Sequence, residues 1–192
     1  MMNVYDFDKT IYHGDSTADF YLFSLKRHKK ILLLAPSLLA SVVKFYVLKK
    51  GTKTDFKQVM YRFLRYCDTE RDVSDFWQKN ESKIKAFYLK QQQPDDVIIS
   101  ASPVFLLTPI CQKKGIRHLI ASKVNPKTGV YSGINCHGDE KVRRFYEKFP
   151  NGVIDEFYSD SYSDTPLAEL SKKAFLVDGE SVSPWIFKKK QR

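Results

Sequence analysis

The chain has 192 residues, 43% hydrophobic and 28% charged, which leaves room for one well-cored domain plus a modest second one and excludes a disordered chain. Lys and Arg total 32 against 22 Asp and Glu, a net charge of +10, so the composition favours anionic partners: phosphorylated small molecules, acidic lipid surfaces or nucleic acid. Cys67, Cys111 and Cys136 are odd in number and form no CxxC pair, which excludes a disulfide framework and suits free thiols in a reducing compartment. An acidic motif begins at residue 6, so no signal peptide is expected ahead of it and the expected location is cytoplasmic.

Residues 2–7 predict a short buried strand, and 8–15, with Thr10, His13 and Gly14, a loop. Asp15 or Ser16 suits a helix cap. From there to Gln93 the pattern is helical throughout, with stretches expected over 16–34, 37–49, 54–67 and 70–92, broken at Pro36 and Gly51. After Gln91-Gln92-Gln93-Pro94 the period changes. Val97-Ile98-Ile99 is a continuous apolar run, as expected of a strand covered on both faces. A helix over 103–113, a strand over 117–121, a hairpin turning at 125–129 and running to Cys136, a helix over 139–149, a strand over 153–158, a short helix over 164–171 and a last strand over 174–177 follow. The basic tail 188–192 is expected to be solvated and partly disordered. β/α alternation on either side of an all-helical insert predicts an α/β fold with a parallel-sheet core.

Asp6 and Asp8 lie two residues apart at the end of the first strand, in Asp6-Phe7-Asp8-Lys9-Thr10. Like charges at that range repel and raise each other's pKa. A divalent cation such as Mg²⁺, which prefers hard oxygen ligands, removes the conflict. One carboxylate can then attack a phosphorus while the other handles a proton. The plain alternative is an acidic turn after a strand. Ligands of open parallel sheets bind at the carboxyl ends of the strands. Three more such ends carry chemistry: Ser100, followed by Ala101-Ser102-Pro103; Lys141, after Gly138-Asp139-Glu140; and Asp160 and Asp164, in Ser159-Asp160-Ser161-Tyr162-Ser163-Asp164. Singly, Ser100 reads as a cap, Lys141 as a surface lysine and Asp164 as another cap. Jointly they supply a nucleophile, an acid/base, a hydroxyl, a cation and metal-directed carboxylates.

DxDxT at 6–10, Ser100, Lys141 and the pair Asp160/Asp164 resemble, in content and order, the four motifs of the haloacid dehalogenase superfamily. The helical insert resembles the cap of its phosphoserine-phosphatase-like branch, subfamily IB. Ile99-Ser100-Ala101-Ser102-Pro103, Cys136 to Val142 and Tyr158 to Asp164 look like the bacterial phosphatidylglycerophosphatase C group. Lys9 and Ala101 stand where many relatives carry Gly. The resemblance implies a Rossmann-like core formed by 1–15 and 94–192, a helical cap formed by 16–93, and Mg²⁺-dependent phosphatase chemistry. It implies Asp6 as nucleophile forming an aspartyl-phosphate and Asp8 as acid/base. Ser100 and Lys141 would hold the phosphoryl group, with Thr10 and Ala101 beside it, and Asp6, Asp8, Asp160 and Asp164 would surround the metal.

Residues 31–48 form the most apolar stretch, eighteen residues near the lower limit for a membrane span. A crossing there would separate Asp6 from Ser100, Lys141 and Asp160, so a span is excluded if these residues share a site. Two readings remain. In one, Pro36 is the corner of a helical hairpin packed inside a soluble cap. In the other, the hairpin tip, with Leu33, Leu34, Leu38 and Leu39, dips into one leaflet, and Lys26, Arg27, His28, Lys29 and Lys30 before it and Lys44, Lys49 and Lys50 after it meet anionic lipid. The reading that unites these features is a phosphatase acting on a lipid phosphate such as phosphatidylglycerophosphate, peripheral on the inner face of the cell membrane. The alternatives are a soluble-metabolite phosphatase, acting on a phosphoserine-like or sugar phosphate, and a non-catalytic basic binding protein. No nucleic-acid motif accompanies the charge, so nucleic acid is not an expected partner. His13, His137, Lys123 and Asn125 carry no assigned role.

Overall fold

The structure is a computed structural model that describes residues 2–187. The expected tail lies outside the described residues. Six strands form one sheet in the order β3-β2-β1-β4-β5-β6: β1 (Asn3–Tyr5), β2 (Val97–Pro103), β3 (His118–Ser122), β4 (Ile154–Ser159), β5 (Ser171–Asp178) and β6 (Ser181–Pro184). The first five run parallel to their neighbours, and only β6 is antiparallel. This is the α/β architecture expected. β6 had no sequence forecast, because Ser181-Val182-Ser183-Pro184 is short and fully exposed.

The central strand is buried throughout for a physical reason. β1 pairs with β2 on one side and β4 on the other, and side chains of the helices cover both faces, so Val4 and Tyr5 are fully buried. On one face Tyr5, Tyr158 and Phe175 stack across β1, β4 and β5, with ring centroids 4.7 and 4.8 Å apart. That face continues into α6 (Val104–Lys113) and the helical insert through Leu106, Ile110, Tyr88 and Trp77. Val4, Val97, Ile99 and Phe157 alternate onto the other face, where Phe145 of α7 (Asp139–Lys148) and Leu167 of α8 (Thr165–Ala168) cover them.

Between β1 and β2 the described chain is helical, as expected, but its breaks fall elsewhere. α1 (Ser16–Arg27) is capped by Asp15, whose side chain accepts the Ala18 N–H at 2.9 Å, and it stops at His28 rather than at residue 34. Pro36 is not a hairpin corner. It sits at the start of α2 (Ala35–Val42), inside one continuous helical rod, Lys29–Val47, which tightens to a 3₁₀ stretch before α2 and widens to a π turn after it. Proline is tolerated there because its missing N–H falls in the first turn of the α segment. The chain then reverses through Lys49 and Gly51, both at positive φ, into α3 (Lys53–Met60), which opens with a capping box between Thr52 and Asp55. The expected helix 70–92 is divided into α4 (Thr69–Asn80) and α5 (Ala86–Gln91). The expected hairpin over 125–136 reduces to a single bridge between Val124 and Tyr131.

That reduced hairpin seats the insert. The Tyr131 N–H donates to Gln58 Oε1, the Asn135 N–H to Thr54 Oγ1, and Thr69 Oγ1 to the Pro126 carbonyl. Gly129, at φ +75°, lies so close to the insert that a Cβ would stand 2.3 Å from the Tyr61 carbonyl oxygen. Gly129→Ala therefore combines a left-handed backbone with a backbone clash, and is expected to lower unfolding free energy by about 2 kcal/mol or more in urea titration. A loss below about 0.5 kcal/mol, the range of neutral surface changes, would contradict this packing.

Candidate active site

The sheet order reverses direction at β1, with the chain leaving to β2 on one side and β4 on the other. Such a switch point opens a crevice at the carboxyl strand ends. Asp6 follows β1 directly, and its N–H donates to the Tyr158 carbonyl at 2.9 Å, which keeps its side chain level with the end of β4. The next residues fold into a tight turn in which the Ile11 and Tyr12 N–H groups both donate to the Phe7 carbonyl. Lys9 adopts φ 58°, a left-handed conformation normally left to glycine, and its carbonyl is held by the buried Lys85 ammonium at 2.6 Å.

Lys141, two residues into α7 and 2% exposed, reaches Asp6 Oδ1 and Asp164 Oδ2, each at 2.7 Å. Asp164 Oδ2 also accepts the Ser159 hydroxyl at 2.8 Å, whereas Asp164 Oδ1 is buried without a partner. Burial alone would lower the Lys141 ammonium, but the carboxylates of Asp6 and Asp164 outweigh it and hold it above the usual lysine range. One ammonium does not balance the acids around it. Burial, followed by the charges of Asp164 and Asp8, raises Asp6 to about 7 against the opposing pull of Lys141. Burial also raises Asp8 and Asp160.

Asp8 is fixed on both oxygens. Oδ1 accepts the Ser16 N–H at 2.6 Å, at the first turn of α1, and Oδ2 accepts the Ser102 hydroxyl. Thr10 is fully buried, and its hydroxyl accepts the Asp160 N–H at 2.9 Å, joining the two acidic loops. Asp6, Asp8, Lys141, Asp160, Asp164 and Ala101 thus line one cavity of about 350 Å³. Ser100 and Thr10 do not line it. Ser100 is fully buried, and its hydroxyl accepts the Ser102 N–H at 3.0 Å where β2 loses register with β3. Its neighbour Ser102 holds the place at the cavity wall that Ser100 was expected to fill. Ser100 and Ser102 point the same way in an alternating strand, so the i, i+2 pair was a usable sign that the second serine lies nearer the strand end.

The wall opposite the acids comes from α3, through Lys53, Phe56 and Lys57, with Tyr46 of the rod beside them. His137 also lines the cavity. His13 does not; it pairs with Glu180 at 2.7 Å. Asn125 is a turn residue whose side chain accepts the Lys127 and Thr128 N–H groups. Among the expected lipid-contact residues, Lys29, Lys30, Leu33 and Leu39 are exposed, and Leu34 and Leu38 are half-buried.

Residues 4–169 match the model of the haloacid dehalogenase-like hydrolases. The chain belongs to that family. As a haloacid dehalogenase-like hydrolase it shares its fold with several solved structures. One, a protein of unknown function from Bordetella pertussis Tohama I, superimposes with a TM-score of 0.74 at 18% identity, covering 90% of this chain and 87% of that one. A phosphoserine phosphohydrolase-like protein from Francisella tularensis subsp. tularensis SCHU S4 gives 0.55 at 15% identity, covering 91% and 86%. A phosphoserine phosphatase in its apo form gives 0.53 at 11% identity, covering 90% and 84%. No curated protein matches significantly.

Lys141 is anchored by its neighbours on α7. Glu140 accepts Arg143 Nη2 at 2.7 Å and Arg144 Nε at 2.6 Å, and Arg144 also donates to the Ala121 and Ile134 carbonyls, tying α7 to β3. Hydrogen bonds from Arg143, then Arg144, hold Glu140 at about 2, against about 4.3 for a free glutamate. Its stabilisation is present above the free value and is lost as pH falls through about 2. Urea midpoints of the native chain are expected to fall more steeply between pH 4.5 and 2 than those of Glu140→Gln. Parallel slopes would contradict the anchor.

Proposed function

We propose that this hydrolase is a phosphomonoesterase that passes the phosphoryl group through Asp6. The observation that carries the reading is the single buried ammonium of Lys141, shared between Asp6 and Asp164 on the floor of a cavity at the sheet's switch point. Phosphoryl transfer needs positioned opposite charge more than any other help. The donor set suits a divalent cation: Asp6, Asp160 and Asp164 are hard oxygen ligands lining one cavity with one ammonium among them, and Asp164 Oδ1 is buried and unpaired. With the Asp8 carbonyl, these residues would hold Mg²⁺, which when bound would supply charge compensation to the phosphoryl oxygens.

The chain's own residues account for the remaining steps. An Asp6 oxygen attacks phosphorus, and the P–O bond to the alcohol breaks. Asp8, kept protonated more readily by its burial and aimed by Ser16 and Ser102, gives its proton to the leaving oxygen. Ionised Asp8 then takes a proton from the water that attacks the aspartyl-phosphate, which restores Asp6 and releases phosphate. Lys141 stays paired throughout and offsets the charge passed between Asp6 and the phosphoryl group. Ser102 acts on Asp8, and Ser100 braces Ser102. In this reading residues 16–93 are the cap that closes over the site.

The substrate we favour is a lipid phosphate such as phosphatidylglycerophosphate. Support comes from the rod. Its apolar window has a mean hydropathy of 1.7, yet only 6% of it is buried. Leu33 is 72% exposed, and Leu39, Tyr46 and Val47 are similarly bare. Exposed apolar surface on this scale marks an interaction surface. The rod spans roughly 28 Å by the helical rise. Lys29 and Lys30 stand at one end, and Lys44, Lys49 and Lys50 at the other. Both ends join helices packed on the same body, at buried Ile31 and through the stacked rings of Phe45 and Phe56, 5.5 Å apart. That geometry suits a helix lying in an anionic interface rather than crossing it. Phe56 lines both the catalytic cavity and the groove between α2 and α3, an apolar way out for acyl chains from a cavity sized for a head group. The second reading, a soluble phosphomonoester such as phosphoserine, draws support from that cavity size and from the names of the phosphoserine phosphatase neighbours.

The test is phosphate release from phosphatidylglycerophosphate in anionic vesicles, with phosphoserine and an aryl phosphate in parallel. Release is expected to require a divalent cation and to vanish in Asp6→Asn. Leu33→Ser with Leu39→Ser is expected to lower the vesicle-to-aryl rate ratio about tenfold, the equivalent of roughly 1.4 kcal/mol of apolar contact. Activity on soluble esters alone would keep the chemistry and discard the lipid, and release from none would overturn the proposal.

A further inference from the structure

The floor of the cavity is acidic, but its opposite wall is basic. Lys53 and Lys57 lie one turn apart on the same face of α3, directly over the site. Lys57 Nζ donates only to neutral oxygens, the Ala101 carbonyl at 3.2 Å and Asn135 Oδ1 at 3.3 Å. Lys53 Nζ, on an exposed side chain, donates to His137 Nε2 at 3.1 Å in the tautomer that leaves that nitrogen free to accept. Among the described residues neither lysine has a carboxylate within ion-pair distance. Burial pushes the Lys57 ammonium down, and burial with Lys53 as the next cause pushes His137 down. The acids of the floor, Asp8 and Asp15 first, act on Lys57 from a distance, but neither ammonium is paired with a carboxylate, and an anion between them would pair both. Lys53 and His137 also line the adjoining cleft of about 670 Å³, and buried Asn135 beside them has its Nδ2 without a partner.

We propose that Lys53, Lys57 and His137 form a subsite for a second anionic group on the substrate, beyond the phosphoryl group held at the floor. The inference rests on the phosphomonoesterase reading of that floor. Its ligand class is a short phosphomonoester that carries either a phosphodiester or a carboxylate a few atoms away. Lys57, committed to Ala101 and Asn135, fixes the wall, and Lys53 and His137 make the contact at the passage between the two cavities. A wall of this kind separates such substrates from simple alkyl or aryl phosphates, because a neutral tail leaves the Lys53 ammonium without an anionic partner.

Non-hydrolysable probes test it without turnover. Calorimetry on the full chain with Mg²⁺ would compare propylphosphonate with propane-1,3-bisphosphonate, its monomethyl ester and 3-phosphonopropionate. The native chain is expected to bind at least one of the doubly anionic probes about tenfold or more tighter than propylphosphonate. The bisphosphonate monomethyl ester stands for a phosphodiester and 3-phosphonopropionate for a carboxylate, so the tighter of the two names the second group. Lys53→Gln is expected to bring the ratio to within about twofold of unity, and Lys53→Arg to restore it. Lys172→Gln, at the amino end of β5 where Lys172 pairs with Asp155, is expected to keep the native ratio. An unchanged ratio in Lys53→Gln, or an equal fall in Lys172→Gln, would overturn the subsite. Loss of phosphate release from every ester with the binding ratio intact would instead overturn the phosphatase reading alone.

Discussion

The buried contact of Lys141 with Asp6 and Asp164 is the constraint on which the rest depends. It brings residues 135 and 23 positions apart in sequence within 2.7 Å. An ion buried in this way costs several kcal/mol to desolvate, and that cost is offset only where geometry and further hydrogen bonds are good. The sheet supplies the geometry. β1 and β4 end side by side, so Asp6 and Ser159 stand level, and α7 enters from a different connection to bring its lysine under both. Arg144 and Glu140 then hold α7 against β3. The acids exceed the ammonium in charge, an imbalance that a divalent cation would offset in the proposed chemistry.

Much of this was legible in the sequence because the chemistry sits at strand ends. Asp6, Asp8, Asp160 and Asp164 follow apolar runs that form a parallel sheet, a parallel sheet gathers such ends on one edge, and Lys141 reaches them from the first turn of α7. The serine is less direct: Ser100 was expected at the cavity, and Ser102 is the one that lines it. Strand alternation gives Ser100 and Ser102 the same direction, and only the loss of register after Ser100 decides which one reaches Asp8. Pro36 misled for a related reason. Proline breaks a helix interior but is accepted where a 3₁₀ stretch gives way to α-helix, and that transition has no period of its own to read. Lys53 and Lys57 drew no expectation and His137 no role, since their meeting depends on how α3 docks on the loop before α7. That docking is fixed by Gln58, Thr54 and Gly129, through contacts separated by 68 or more residues.

The insert joins two surfaces that serve different ends. Its inner side packs Phe20, Phe63, Phe76 and Trp77 into the same core as Phe7 and Tyr12, with Trp77 Nε1 donating to the Leu106 carbonyl at 2.6 Å. Its outer side leaves the rod bare. Between them α3 carries cations on the face over the active site and Phe56 toward the rod. A substrate with an anionic head and an apolar body would meet each part of that arrangement in turn, with the head over Asp6, a second charge at Lys53 and the body along Phe56.

The central claim is that Asp6 itself takes the phosphoryl group. Rapid acid quench of the full chain turning over an aryl phosphate with Mg²⁺, followed by peptide mass spectrometry, tests it most directly. The account predicts the mass of one phosphoryl group on the peptide containing Asp6, absent from Asp6→Asn and labile to mild base. Turnover with no covalent label at any quench time, or a label on a histidine or serine instead, would contradict it.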